Sequence, residues 1–301
     1  MSDPAQPSLS RARIVFDFAL ISAIWGSTWF VIKDQIGVVP ITWSVTWRFA
    51  FAAVGMIAYA LFRGESLRIG RTGQRVAITL GLAHFCLNFQ FLYASEQHVT
   101  SGLVAVYYAL VFVPAALISR FFLKTRLGER FVAGSAIAIL GIAILLWREF
   151  QTGTAHEDLF LGIALMTGGL ICSAIFNTLQ ASRAARSQPI VPVLAWALVW
   201  GFLFDAAIAL VVAGPPVFAL TPGYALSVLY LALVGSVLTF PLLGRLIREI
   251  GAERASYTAV AIPVVAMLLS TLFEGYRWTA ASVIGAATAM LGLVVALSSR
   301  R

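Results

Sequence analysis

Charge is what this chain has least of. Of its 301 residues only 11% are Asp, Glu, Lys or Arg, whereas 60% are hydrophobic. A water-soluble domain of ordinary composition carries about 25% charged residues, so a soluble single domain is excluded. Disorder is excluded too, because it needs low hydrophobicity and high charge. Cysteine is scarce as well: Cys86 and Cys172 both fall inside apolar runs, which argues against a disulfide framework and for small buried side chains. The three histidines, His84, His98 and His156, are scattered, so no metal-ligand spacing is present. His156-Glu157 is not followed by the second histidine of a zinc hydrolase. The phosphate-cradling loop G-x-x-x-x-G-K-[ST] is missing, so direct driving by ATP is not expected. No cofactor, no nucleic-acid partner and no catalytic group are expected.

What remains is long apolar runs. Ten stand out, at 14–32, 41–62, 76–94, 101–119, 130–147, 159–181, 191–213, 224–245, 255–273 and 280–297. They approach the roughly 20 residues that a helix needs to cross a bilayer, and they lack the two-residue alternation of a membrane β-barrel. The chain reads as an all-α integral membrane protein of ten transmembrane helices, with the bilayer as its obligate partner. The first run is span-length and follows a polar stretch, so it reads as a helix rather than a cleavable signal.

The net charge of +8 has a topological explanation. If each run crosses once, the 21 Lys and Arg residues fall almost entirely in one set of loops and the two tails. Only Lys33, Arg148 and Arg277 lie in the alternate set, and Arg48 lies within a span. The positive-inside rule then puts both termini in the cytoplasm of a plasma membrane, for a bacterium the inner one. Trp43, Trp47, Trp147 and Trp278 fall near outer helix ends, where an aromatic belt is expected.

The two halves are related. A shift of 151 positions lays Ser119 on Ser270, Phe122 on Phe273, Arg126 on Arg277, Gly134 on Gly285, Ala138 on Ala289 and Gly141 on Gly292. Each half holds five spans, and an odd number makes the repeats inverted, an architecture of transporters. The expected organisation is a cytoplasmic tail (1–13), a first five-helix repeat (14–147), an outer connecting loop (148–158), a second repeat (159–297) and a short cytoplasmic tail (298–301). The small-residue faces Gly134-xxx-Ala138 and Gly285-xxx-Ala289 suit close helix packing, either within one chain or in a homodimer; a monomer is equally compatible.

The motifs extend the argument. The first span carries IWGSTWFVIK (Trp25, Gly26, Ser27, Lys33), the second WRFAFAA (Arg48, Phe49), the ninth AIPVVAMLLSTLFEG (Pro263, Glu274), and the last is glycine-rich (Gly285, Gly292). In this order and spacing the chain resembles the ten-helix EamA-type members of the drug/metabolite transporter superfamily over nearly its whole length. The first half departs from the pattern, with Leu123 matching Glu274 and Pro114 two positions out of register with Pro263. The resemblance implies a cavity bounded by helices 1, 3, 4, 6, 8 and 9 and export of small metabolites, amino acids foremost. The alternative is a proton-coupled exporter of cationic drugs or other toxic small molecules. That chemistry wants a deep carboxylate, and only Asp205 is available, on a helix that the resemblance puts at the periphery.

Polar groups within spans are costly and usually face a cavity or the bundle interior. Trp25, Ser27, His84, Asn88, Tyr107, Tyr108, Asn177 and Tyr257 are the expected substrate-binding set. His84 and Asn88 are one turn apart on one face, and His84 is also a candidate proton carrier. Together they describe a cavity with aromatic walls and few hydrogen-bonding groups, suited to an amphipathic zwitterion. Arg48 and Asp205, at similar depth on repeat-related helices, are expected to snorkel, to pair or to brace a gate. Pro114, Pro241 and Pro263 are expected to kink helices 4, 8 and 9, as hinges or fixed bends. Asp17 and Arg254 are expected to reach water at the cytoplasmic ends.

Overall fold

The computed structural model describes residues 11–124, 127–151, 156–255 and 257–298. Among the described residues ten long helices follow one another, with a four-residue helix, Arg183–Arg186, between the sixth and seventh: α1 (Arg11–Gln35), α2 (Ile41–Phe62), α3 (Gly70–Ser95), α4 (Ser101–Phe122), α5 (Glu129–Gln151), α6 (His156–Ala181), α7 (Ile190–Ala213), α8 (Pro222–Ile247, continuing helically to Ala255), α9 (Thr258–Phe273) and α10 (Ala280–Leu297). Nine are long and apolar enough to cross a membrane, and α9 is a shorter apolar helix. The spans expected at 41–62 and 280–297 coincide with α2 and α10. The third begins earlier than expected, at Gly70, because the polar GRTGQR stretch is already helical. α5 and α6 also run further, to Gln151 and from His156, so the expected loop at 148–158 is largely helix.

Two-fold symmetry governs the packing. α1 lies against α8 and α9 as α6 lies against α3 and α4, while α2 meets α8 as α7 meets α3. α2 with α7, α4 with α9 and α5 with α10 pair with their own counterparts. A pseudo-dyad relating two sets of five spans reverses the direction of one set, the geometry of inverted repeats.

Glycine makes two of these seams. On α5 and α10 a Cβ at Gly141 would stand 2.2 Å from the Ala289 nitrogen, and one at Gly292 2.2 Å from the Ala138 nitrogen. The small-residue faces therefore pack α5 against α10 within the chain. In the first span a Cβ at Gly26 would meet Val265 at 2.4 Å and the Ile262 carbonyl at 3.1 Å, so Gly26 lets α1 close on α9.

Both α3 and α8 contain a π-helical stretch at the corresponding place, Gly81–Asn88 and Tyr230–Leu238. A π turn carries an extra residue and leaves the i−4 ladder. Hydroxyls occupy part of the altered ladder: Ser236 donates to the Leu231 carbonyl at 3.1 Å and Thr239 to the Val234 carbonyl at 2.6 Å. Pro241 follows the second stretch, but α3 has no proline there, so proline is not what the two distortions share. In α4 a 3-10 turn, Ala109–Val111, precedes Pro114. Pro263 is buried within α9 beside an apolar groove of about 280 Å³ that Val106, Met267 and Trp278 also line.

The Trp belt is partial. Trp147 and Trp278 are exposed, but Trp43 is buried in a cluster with Ala209, Tyr224 and Val228. Asp17 also departs from expectation. It does not reach water: it is fully buried, with Arg245 of α8 donating to Oδ2 from Nε at 3.0 Å and Nη2 at 2.6 Å, and Arg13 at 3.2 Å from Oδ1. A carboxylate so far from water needs such partners, and the pairing ties α1 to α8 at the Lys/Arg-rich end. The side chain of Arg254, and Arg126 altogether, lie outside the described residues.

Candidate functional site

The helices α8, α1, α9, α4, α6 and α3 form a chain of successive contacts. Aromatic side chains link its two ends. Phe240 of α8 meets Phe85 of α3 at 5.8 Å and Phe176 of α6 at 6.5 Å between ring centroids. His84 lies in this cluster, stacked on Phe176 at 4.0 Å and edge-on to Phe89 at 5.5 Å and Phe240 at 6.5 Å. Among the described residues its buried Nδ1 has no hydrogen-bond partner, nor does Asn88 Oδ1, one turn along. The π stretch carries both side chains.

Trp25 closes one side. Its ring is edge-on to Phe240 at 5.7 Å, and its Nε1–H donates to the Gly235 carbonyl at 3.0 Å. That carbonyl belongs to the π stretch of α8, so the distorted ladder supplies the acceptor that a buried indole needs. Ser27 shares a 2.6 Å hydrogen bond with Tyr230, also in that stretch. Tyr107 reaches Thr167 of α6 at 2.7 Å. Tyr108 sits edge-on to Trp29 at 5.2 Å, and its buried hydroxyl has no hydrogen-bond partner among the described residues.

Not all the expected residues converge. Asn177 neighbours Phe176 but is exposed, outside the stack. Tyr257 is the N-cap of α9 and partly exposed. Arg48 moves the other way. It does not snorkel: it is 3% exposed, with its guanidinium carbon 4.4 Å from the Phe89 ring centroid. Nor does Asp205 take it as an ion-pair partner; Asp205 is fully buried and accepts from Gln90 Nε2 at 2.8 Å instead. Arg48 Nε and Nη1 are buried without an acceptor among the described residues. Phe89 thus touches both the Arg48 guanidinium and the His84 imidazole.

A second polar cluster closes the Lys/Arg-poor end. Lys33 of α1 donates to the Glu96 carbonyl and, at 3.1 Å, to the Val99 carbonyl in the α3–α4 turn. Glu274, the C-cap of α9, accepts from Ser101 Oγ, from the Ser101 nitrogen at 3.1 Å and from Ser270 Oγ at 2.9 Å. Gln35 donates to Ser227 at 2.8 Å and accepts from Tyr93 at 3.2 Å. Sequence reasoning held Lys33 and Glu274 only as motif letters and missed Glu96, Gln35, Gln90 and Tyr93. Polar residues at run edges read as solvated when nothing shows what packs over them.

Gly169 of α6 shows how tightly α4 and α6 close. A Cβ there would lie 1.9 Å from the Tyr108 hydroxyl. Gly169→Ala is expected to impair folding or transport by displacing that ring, and Tyr108→Phe in the same chain to recover most of the loss. Thermal unfolding of both variants reads the coupling.

The model of the EamA-like transporter family matches residues 14–147 and again residues 160–298. "Protein PagO" of Salmonella typhimurium is 26% identical over 293 residues, 97% of this chain and 95% of that protein. "Uncharacterized inner membrane transporter YedA" of Escherichia coli K12 is 31% identical over 279 residues, 90% of this chain and 87% of that one. One crystal structure superposes with a TM-score of 0.68 at 20% identity, covering 95% of this chain and 97% of that one, a likeness of fold alone.

Proposed function

The chain belongs to the EamA-like transporter family, and on that premise we propose that it exports small amphipathic zwitterions, amino acids foremost, from the cytoplasm by alternating access between its two repeats. The observation that carries this reading is Arg48. Its guanidinium bonds to the Tyr93 hydroxyl and faces Glu96, but Nε and Nη1 are buried without an acceptor among the described residues, a costly feature unless a carboxylate docks on them. Asn88 Oδ1 is an acceptor free for an ammonium group. The rings of Trp25, Phe89, Phe176 and Phe240 offer an apolar wall for a side chain. His84 adds one polar nitrogen within that wall. Rocking of one repeat against the other about this site would expose it to each side in turn.

Counterflow in proteoliposomes tests the substrate class. Vesicles are preloaded with unlabelled amino acids, and uptake of one labelled member is followed at equal pH on both sides. Transient accumulation, lost with His84→Ala, supports the reading. No counterflow with any amino acid, but uptake of cationic dyes under a pH gradient, overturns it and shifts the substrate site towards Asp205, the buried carboxylate bonded to Gln90.

A further inference from the structure

Glu96 lies in the turn between α3 and α4, within the cluster that closes the Lys/Arg-poor end. It is 0% exposed, and neither carboxylate oxygen has a hydrogen-bond partner among the described residues. Lys33 makes no hydrogen bond to the carboxylate among the described residues: two of its ammonium protons go to the backbone carbonyls of Glu96 and Val99. Glu274 already holds the Ser101 and Ser270 donors. The other charged or titratable groups facing Glu96 are Arg48 from α2 and Tyr108 from α4; Tyr93 of α3 also faces it, with its hydroxyl proton committed to Gln35. An ionised carboxylate buried without donors costs several kcal/mol, and the usual relief is to bind a proton.

We propose that Glu96 is a proton-binding site of the carrier, and that the Lys/Arg-poor mouth closes only with Glu96 protonated. Closure strips water from a carboxylate for which the turn supplies no donor, and a proton from solvent, bound to one Glu96 oxygen, removes the charge. Opening returns water and releases the proton. The proposal rests on the transporter reading but not on the identity of the substrate.

The direction of the pH effect follows. Burial pushes Glu96 well above the usual carboxylate range in the closed state, with Glu274 adding to the rise while Lys33 and Arg48 oppose it. In an open, hydrated mouth its value is ordinary. The closed state is therefore favoured at low pH and loses that advantage as pH rises through the raised value.

The test reads mouth opening, not transport. Val99, 7% exposed, is buried by closure, and Val38, 50% exposed at the same end, is not. Each is replaced by cysteine in a full-length chain whose Cys86 and Cys172 are alanine, and labelling by a membrane-impermeant maleimide is followed from about pH 5 to pH 9, the span within which buried glutamates titrate. The Val99→Cys rate divided by the Val38→Cys rate cancels the thiol's own pH dependence to first order. That ratio is expected to rise with pH, by up to about tenfold per unit, the limit for one proton. With Glu96→Gln the ratio stays low and flat; with Glu96→Asp, which keeps the carboxyl should glutamine fold poorly, the rise persists. A flat ratio with Glu96 present, or an unchanged rise with Glu96→Gln, overturns the proposal. Failure of amino-acid counterflow would overturn the substrate reading and leave this result standing.

Discussion

Replacing Arg48 with methionine is expected to abolish amino-acid counterflow while leaving the empty protein at least as stable. Arg48 is buried, with two guanidinium nitrogens lacking an acceptor among the described residues and two aromatic neighbours, Phe89 at 4.4 Å and Phe49 at 5.4 Å. A desolvated cation–π contact contributes about 2 kcal/mol; a buried charge short of acceptors, here with only the Tyr93 hydroxyl and Glu96 near it, costs several kcal/mol even after relaxation. The cost is the larger, so methionine, of similar length and apolar, should relieve strain in the unliganded state. Binding is different. Losing the partner of a desolvated carboxylate costs about 2–5 kcal/mol, or roughly 30- to 5,000-fold in affinity. Arg48→Lys should not restore it, because an ammonium lacks the planar fork. Thermal unfolding with and without amino acid, beside counterflow, separates the two effects. Undiminished counterflow in Arg48→Met protein would remove Arg48 from the site. A large fall in stability without substrate would make it a structural brace.

The second large effect lies far from the site. Gly141→Leu is expected to yield no folded protein, and Gly141→Ala to lower stability by about 1–3 kcal/mol or more, the range for overpacked interiors. The reason is the nature of the neighbours. The atoms that a Cβ would strike are the Ala289 nitrogen, the Gly285 carbonyl and the Ala289 Cα, at 2.2 to 2.7 Å. A side chain can rotate away; a helix backbone cannot without moving the helix. Gly292→Ala faces the same seam and should combine with Gly141→Ala non-additively, since one separation of α5 from α10 relieves both. Gly244→Ala is the control, because no atom of the described residues outside its own helix backbone lies within 4 Å of its added Cβ. Unfolding temperatures of the purified variants in detergent measure this. Equal effects at Gly141 and Gly244 would show that α5 and α10 do not pack in this register.

Much of the outline was legible in the chain. Apolar runs marked the ten helices because a lipid-facing helix must be apolar along its length. The 151-residue shift exposed the repeat because Gly134, Gly141, Gly285 and Gly292 answer a backbone-contact constraint that few other residues meet. The same pattern could not say whether that contact lay within one chain or between two. Of the site, His84, Asn88, Trp25 and Ser27 were visible as polar or amphipathic breaks in apolar helices. Asn177 made the same kind of break and lies exposed, because a break has no direction until its neighbours are in place.

The sequence by itself determined that this is a helical, two-repeat membrane protein, since hydropathy and repeat spacing are local properties of the chain. Only the tertiary structure decided which polar groups find partners. It sent Asp17 to Arg245 and Asp205 to Gln90, left Arg48 over Phe89, and buried Glu96 within a turn that reads as solvent-exposed. The physical reason is that pairing and desolvation depend on groups tens to hundreds of residues apart, brought together by helices whose apolar faces carry no record of which polar atom each will meet.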